Sequence, residues 1–551
     1  MIRLLRDKEK WKDIRENPDF QSLRDELFDG YKLFCENKEI PIIKFSDEMD
    51  FVKTGNRNTF EEKYFLRRNQ LSIYAILSMI YPEKEEYIEK LQDIICEICN
   101  EYSWQVPAHR PSTNRNKRDG LALFSCETGL YLAEIKQMLI DRLDRLVIDR
   151  ITEEVDKRIL KSFENEHNLW IETLKSNWAS VCGGCIGMTF MYESPERFYK
   201  VNSRIDSFMR NYLSGISDDG ATSEGAGYWN YGFCFYIMYL DNLIKYTNGR
   251  TANAFRLDKV KRLASFYSSL LLDNNTLVSF SDSSQANGYH MWLLHFLKAK
   301  YNIVMPPRNG AEIDFSKFSA AVRAFLYYNP QYVTDSIEPE RYIYEKLGWY
   351  IERKDKYGFA IKAGNNAEEH NHNDIGSFIV ASNGKQLFCD LGAAEYTAYN
   401  FGADRYKIFN NSSLGHSVPI INANEQGTGE SYYGQLSISD KICVDMKNAY
   451  PKKPDKLIRS VELQEKGLSL TDEFSGLVDV KERFITEQKP VISEDKLLIG
   501  NAEVRFDKNW RVNFSSKTIK AHNGRDDRNV YILDFVPIGP SDKFSLKISI
   551  E

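Results

Sequence analysis

The densest set of reactive side chains in this 551-residue sequence is Glu368-Glu369-His370-Asn371-His372-Asn373-Asp374, which holds two of the chain's eight histidines. Residues two apart on an extended strand face the same way, so His370 and His372 are expected to project together, a spacing suited to one catalytic base beside one metal ligand. Asp390 and His416 follow. A histidine, a carboxylate and a second histidine make a borderline-soft cation site for which zinc is the leading candidate. The competing readings are an unmetallated hydrogen-bonded cluster and a solvated polar loop. Asn383-Gly384 marks a two-residue hairpin, whose register is expected to set Ser382 opposite Lys385, Val380 opposite Leu387 and Ser377 opposite Asp390. That register gives Asp390 the opposite parity to His372, so the cation site requires a bulge or bend at Gly376.

Further upstream, Ser217 to Gly232 reads as a glycine-rich loop ending in Tyr228, Trp229 and Tyr231. Aromatic faces stack on pyranose rings and tyrosine hydroxyls deliver protons, which suits a sugar-binding cleft, although buried packing would use the same residues. The amide of Asn177, with Trp178 beside it, suits a substrate carboxylate. The run Trp104 to Arg110 adds His109, and Arg110, Arg115, Lys117 and Arg118 crowd the segment after it. This is either a local basic patch or a solvated charged face. The pairs Cys96/Cys99 and Cys182/Cys185 have CxxC spacing but are read as packing, because a four-cysteine zinc site would need them to converge from distant helices.

The elements that must carry these residues fall into two kinds. To about residue 330 the apolar pattern is helical: Ser194-Pro195 opens a helix in which Val201, Ile205, Phe208, Met209 and Tyr212 recur at spacings of three and four. Similar patterns run from Tyr64 to Tyr81, Leu121 to Leu139 and Phe233 to Tyr246, the last stopped by Asn248-Gly249. After about residue 340 short β-rich runs separated by turn residues take over, as in Gly358 to Gly364 and Ser377 to Ala381. Residues 1–335 are therefore assigned to a helical toroid or solenoid and residues 336–551 to an antiparallel β-sandwich. At this length two or three large domains are expected.

Composition narrows the partners. Lys and Arg total 73 against 79 Asp and Glu, a net charge of −6 that argues against a nucleic-acid binder. A polyanionic substrate must then meet a local basic patch. No run of about 18 apolar residues suggests a membrane span, and the first residues lack an apolar export core. Nine cysteines suit free thiols in a reducing compartment, so the cytoplasm is the expectation, with a secreted or periplasmic location if an export signal has been removed. The oligomeric state is unspecified.

Together these segments resemble the heparinase II/III-like polysaccharide lyases. The likeness is carried by Trp104 to His109, Asn177 to Gly184, Asp219 to Gly232, His370 to Phe378, Asp390-Leu391-Gly392 and Ser412 to His416. Where relatives often have further asparagines, this chain has Ser176, Ala179 and Gly183. The resemblance implies an incomplete α/α toroid packed on an antiparallel β-sandwich, an α+β arrangement with the active cleft between the halves. It implies Asn177 as the group that neutralises the uronate carboxylate, Tyr231 as the catalytic tyrosine in preference to nearby Tyr228, and His370 as the base. His372, Asp390 and His416 resemble the family's metal-binding set. His109, Arg110, Trp178, Glu224, Tyr228 and Trp229 are expected to contact substrate.

The implied reaction is β-elimination on a uronic-acid-containing polysaccharide, with glycosaminoglycans such as hyaluronan, chondroitin sulfate or heparan sulfate ahead of alginate. No organic cofactor is expected. Two alternatives stand beside it. A glycoside hydrolase would use paired carboxylates such as Glu224 and Asp219, and a non-catalytic carbohydrate-binding protein would use the histidines only to hold a metal.

Overall fold

The computed structural model describes residues 1–110, 118–167, 169–285, 288–307, 313–395, 400, 402, 404–476, 479–493, 496–522, 524 and 526–551. Helices dominate the chain to the short turn Pro330–Tyr332, and the first strand is Glu340–Tyr344. The fold is a helical N-terminal part followed by C-terminal antiparallel sheets. Among the described residues no helix is long and apolar enough to cross a membrane.

The helix expected after Ser194-Pro195 runs over Pro195–Gly215 with proline in its first turn, and buries Ile205, Phe208, Met209 and Tyr212. It packs on the helix Asn177–Glu193, which also touches Leu123–Met138 and Gly225–Tyr246. Small residues make that central position possible. A Cβ on Gly183 would lie 2.5 Å from the Cβ of Phe208, and one on Gly187 would lie 2.6 Å from the Tyr239 ring. The CxxC pair Cys182/Cys185 lies on the same helix and both thiols are free and buried, as are Cys99 and its neighbours in the core, while Cys96 is half-buried.

Two expectations need correction. The helix read from Phe233 begins at Gly225, so Tyr228, Trp229 and Tyr231 belong to its first turns and not to a loop. Glycines at its start hid it, since glycine is a poor helix former; its end at Asn248-Gly249 is as expected, with both residues at positive φ and the Gly249 N–H donating to the Ile244 carbonyl at 2.8 Å. The hairpin register also differs. Ser382 pairs with Lys385, but the ladder then shifts and Val380 faces Phe388, leaving Leu387 as an extra residue. The ladder therefore carries an extra residue at Leu387, and the bend expected at Gly376 is present as well: its φ is +88, its N–H donates to the Lys362 carbonyl at 2.8 Å and the Lys362 N–H donates to the Ser377 carbonyl at 3.1 Å, so Gly376 and Ser377 together oppose Lys362. His370 and His372 lie in the connection between Gly364–Asn366 and Phe378–Ser382 and not on a strand, so strand parity does not govern them; they project together because both rings reach Asp282.

The five-stranded sheet formed by Glu340–Tyr344, Trp349–Arg353, Gly358–Lys362, Phe378–Ser382 and Lys385–Phe388 is the middle layer. Its side chains alternate between two cores. Trp349, Ile351, Ala360, Ile379 and Ala381 join the helical core, while Tyr350, Phe359, Ile361, Phe378 and Val380 join the core of the remaining sheets. One sheet buried on both faces thus fixes the helical half against the β half, and the residues flanking its strands sit at the seam.

Candidate active site

The seam is built around a loop from the helical half. Ser279 donates its hydroxyl to the Asp390 carbonyl at 2.9 Å, and the Ala393 N–H donates to the Ser283 carbonyl at 2.9 Å. Ser283 is wedged between two glycines: a Cβ on Gly392 would lie 2.0 Å from its carbonyl oxygen, and one on Gly225 would lie 2.0 Å from its hydroxyl. Both glycines have positive φ. The Asp390-Leu391-Gly392 turn, the loop and the start of the helix Gly225–Tyr246 therefore lock together.

Asp282 of this loop is the centre of the site, and sequence reasoning missed it. Its two oxygens meet His370 Nδ1 at 2.8 Å and His372 Nε2 at 3.1 Å, and Arg405 donates to it at 3.0 Å. Burial opposes its ionisation, but the hydrogen bonds from both histidines, with the charges of His372 and Arg405, win and hold the carboxyl well below the usual range. When the rings are neutral, an ionised Asp282 accepts N–H from each, and the lone pairs then lie on Nε2 of His370 and Nδ1 of His372. His370 also has φ +60, in the left-handed region that a non-glycine residue rarely occupies.

The Nε2 of His370 lies 3.7 Å from Glu224, and its ring rests on that of Tyr228 with centroids 4.2 Å apart. Glu224 is buried, and burial pushes its pKa up to about 7 against the opposing influence of His370 and of the Asn177 backbone N–H that it accepts. The carboxyl thus keeps its proton, and acts as a hydrogen-bond donor, below a pH of about 7. Asn177 opens its helix beside this group, and its carbonyl accepts from Ser180, so both of these contacts use its backbone.

Tyr231, one turn beyond Tyr228, meets a second cluster that the sequence did not reveal. Its hydroxyl donates to Glu127, which also accepts from Tyr131 at 2.5 Å and from Lys317 at 3.0 and 2.8 Å. Lys317 Nζ lies 4.7 Å from the centre of the Tyr231 ring. Burial first, and the Glu127 charge second, push the Tyr231 phenol well above its ordinary pKa. In this state it is a proton donor and not a tyrosinate.

His372, Asp390 and His416 come together as expected: one ligand atom from each lies within 4.8 Å of the others, and all three residues are buried. The geometry fits a cation. His416 Nε2 donates to the Asn410 carbonyl at 2.6 Å, as His372 Nε2 does to Asp282, so each ring turns Nδ1 inward. His372 Nδ1 is buried without a hydrogen-bond partner, while His416 Nδ1 faces Asp390 Oδ2 at 3.1 Å, so a cation would take up the one orphaned nitrogen and replace the proton shared by the other two groups.

Of the expected substrate contacts, His109 and Trp178 have rings in contact at 4.9 Å. Trp229 does not qualify, because it is 1% exposed and its indole N–H donates to the Leu263 carbonyl in the core. Arg110 is corrected likewise. It is buried and pairs with Glu48 at 2.7 Å, so it is not part of an open basic patch. Arg118 faces Asp119 and Glu154 at 3.8 and 3.7 Å, while Arg115 and Lys117 lie outside the described residues.

Residues 343–532 match the family model for the heparinase II/III-like C-terminal domain. No curated protein sequence matches the chain. Among solved structures, it is similar to the heparan sulfate lyase HepC from Pedobacter heparinus, with 10% identity and a TM-score of 0.57 over 99% of this chain and 92% of that one. It is similar also to the Streptomyces coelicolor A3 chondroitin AC lyase, with 8% identity and a TM-score of 0.54 over 98% and 82% of the two chains. A Paenibacillus xanthan lyase aligns at 9% identity and a TM-score of 0.53 over the whole of this chain and 59% of that one. At such identities the likeness is one of fold.

Proposed function

We propose that this chain, whose residues 343–532 match the heparinase II/III-like C-terminal family model, is a polysaccharide lyase that cleaves a uronic-acid-containing polysaccharide by β-elimination. The observation that carries the reading is His370, fixed on Asp282 through Nδ1 with Nε2 free beside Glu224 and Tyr228 at the seam of the two halves. Removal of the C5 proton of a uronate requires the neighbouring carboxylate's charge to be stabilised as the enolate-like intermediate forms. The amide of Asn177 and the protonated carboxyl of Glu224 are suited to that task, and His370 Nε2 takes the proton. Tyr231 then hands its proton to the O4 leaving group, and Lys317 over its ring favours the resulting phenolate. The bond breaks without water and leaves a 4,5-unsaturated uronate.

The ring contact between Tyr228 and His370 favours a second assignment, with Tyr228 as the proton donor. Glycosaminoglycans lead as substrate, because similar folds are named heparan sulfate and chondroitin lyases; alginate follows. His372, Asp390 and His416 would hold one divalent metal, zinc by their donor set, whose bound charge would brace the loop that carries His370.

The test is incubation with heparan sulfate, chondroitin sulfates, hyaluronan and alginate, following the ultraviolet absorbance of unsaturated uronates. His370→Ala should lower turnover at least about a hundredfold, the scale of a general acid–base group. Tyr231→Phe should do the same with folding intact, whereas a comparable loss confined to Tyr228→Phe assigns the donor to Tyr228. Products without the conjugated double bond would mean hydrolysis and would sink the lyase reading.

A further inference from the structure

Beyond the reacting residues, a strip of rings leads away from the Tyr231 groove. That groove, about 1080 Å³ in volume, is lined by Phe65, Phe124, Tyr231 and Lys317 among others. Phe124 stacks on His109 with centroids 4.8 Å apart, His109 touches Trp178 at 4.9 Å, and Trp178 touches Trp170 at 4.9 Å. The four rings come from separate places in the chain: Trp170 from the short turn Trp170–Glu172, Trp178 from the first turn of the helix that Asn177 opens, Phe124 from the helix Leu123–Met138, and His109 from the turn Pro107–His109. Convergence of this kind is not a by-product of one amphipathic helix.

Trp170, at the outer end, is 50% exposed. A tryptophan left half in water gains little from burial, yet its tilted contact with Trp178 holds the ring as a rigid platform. Beneath the strip, His109 Nδ1 is buried and has no hydrogen-bond partner. Burial, with Arg57 and Lys317 adding to it, keeps the imidazole neutral by lowering its pKa to about 3. Packed between Phe124 and Trp178, this neutral ring is an apolar backing for Trp178 and not a group that a sugar reaches. The exposed face of Trp170, held against Trp178, suits the C–H face of a pyranose.

We infer that Trp170 and Trp178, backed by His109, form a subsite that holds non-reacting sugars of an acidic glycan, extending the groove beside Tyr231 toward the surface. The inference rests on the lyase reading for its ligand, and it predicts a dependence on chain length that the reaction itself does not require. Because Trp170 is the outermost ring, a long oligosaccharide reaches it and a short one does not.

The experiment compares the parent with Trp170→Ala and Trp170→Tyr on tetrasaccharides and decasaccharides prepared from heparan sulfate and from hyaluronan. For a decasaccharide that is cleaved, Trp170→Ala should raise KM about threefold to tenfold with kcat unchanged, the size of one lost aromatic contact. The tetrasaccharide constants should not move, and Trp170→Tyr should recover most of the loss. Equal constants for parent and Trp170→Ala at both lengths would overturn the subsite. Tryptophan fluorescence supplies the independent readout. Decasaccharide quenching that disappears in Trp170→Ala, with no unsaturated product from any glycan, keeps the subsite and rejects the lyase reading; no quenching and no product from any of the four oligosaccharides rejects both.

Discussion

Glu224 offers a prediction whose size follows from its surroundings. In the folded protein the carboxyl keeps its proton to a pH of about 7, against 4.5 when unperturbed. Between those values the folded state binds more protons than the unfolded one, so stability falls as pH rises through this window. Above pH 7 the loss is complete and amounts to about 3 kcal/mol. Glu224→Gln keeps the shape and a hydrogen-bond donor but removes the titration. With an unfolding entropy of roughly 2 cal/mol/K per residue over the whole chain, 3 kcal/mol corresponds to a Tm change of about 3 °C. The Tm of the variant relative to the parent should therefore rise by about that much between about pH 5 and about pH 8. Melting curves at the two pH values measure it directly. The same substitution should weaken the decline in turnover above neutrality, because an amide cannot lose the proton that faces the substrate carboxylate. A Tm difference that is the same at both pH values would show that Glu224 ionises normally in the folded protein, and the donor role assigned to it would fall with the result.

Two further outcomes concern the groups around it. Chelation should lower both Tm and activity, because a metal bound only by the folded state stabilises it by linkage, and elemental analysis should find about one metal per chain that His416→Ala loses; no stoichiometric metal and an unchanged melting curve for His416→Ala would make His372, Asp390 and His416 an ordinary hydrogen-bonded cluster. Glu127→Gln should destabilise by about 3 kcal/mol, as expected when one partner of a buried ion pair is removed, and the double variant with Lys317→Met should recover much of it in denaturant titrations; additive losses would show that Lys317 does not depend on Glu127.

What the sequence made legible was local. The period of the apolar residues separates helices from strands, and His370, His372, Asp390 and His416 stand out because histidines and carboxylates at close spacing are few in this chain. The bulge at Leu387 was hidden because one extra residue in a strand leaves no compositional mark, yet it decides which face Asp390 takes. Arg110 was misplaced for a related reason: its partner Glu48 is 62 residues away, so a charge that looks free in the sequence is spent in the fold. Trp229 and Tyr231 look alike as aromatics in a glycine-rich run, and only the helix that begins at Gly225 sends one into the core and the other toward Lys317.

Asp282 shows why the most consequential residue was the least visible. It lies in Ser281-Asp282-Ser283-Ser284, a run with nothing to separate it from any polar turn. Its importance arises only when the helical half docks on the sheet and brings it to His370 and His372, some ninety residues later. One carboxylate then sets both tautomers: it frees Nε2 of His370 for proton transfer and Nδ1 of His372 for a cation. The base and the cation site are therefore not independent features that share a loop. They are two consequences of one side chain supplied by the opposite half of the molecule, and any shift of that half against the β-sheets would change the orientation of both histidines at once.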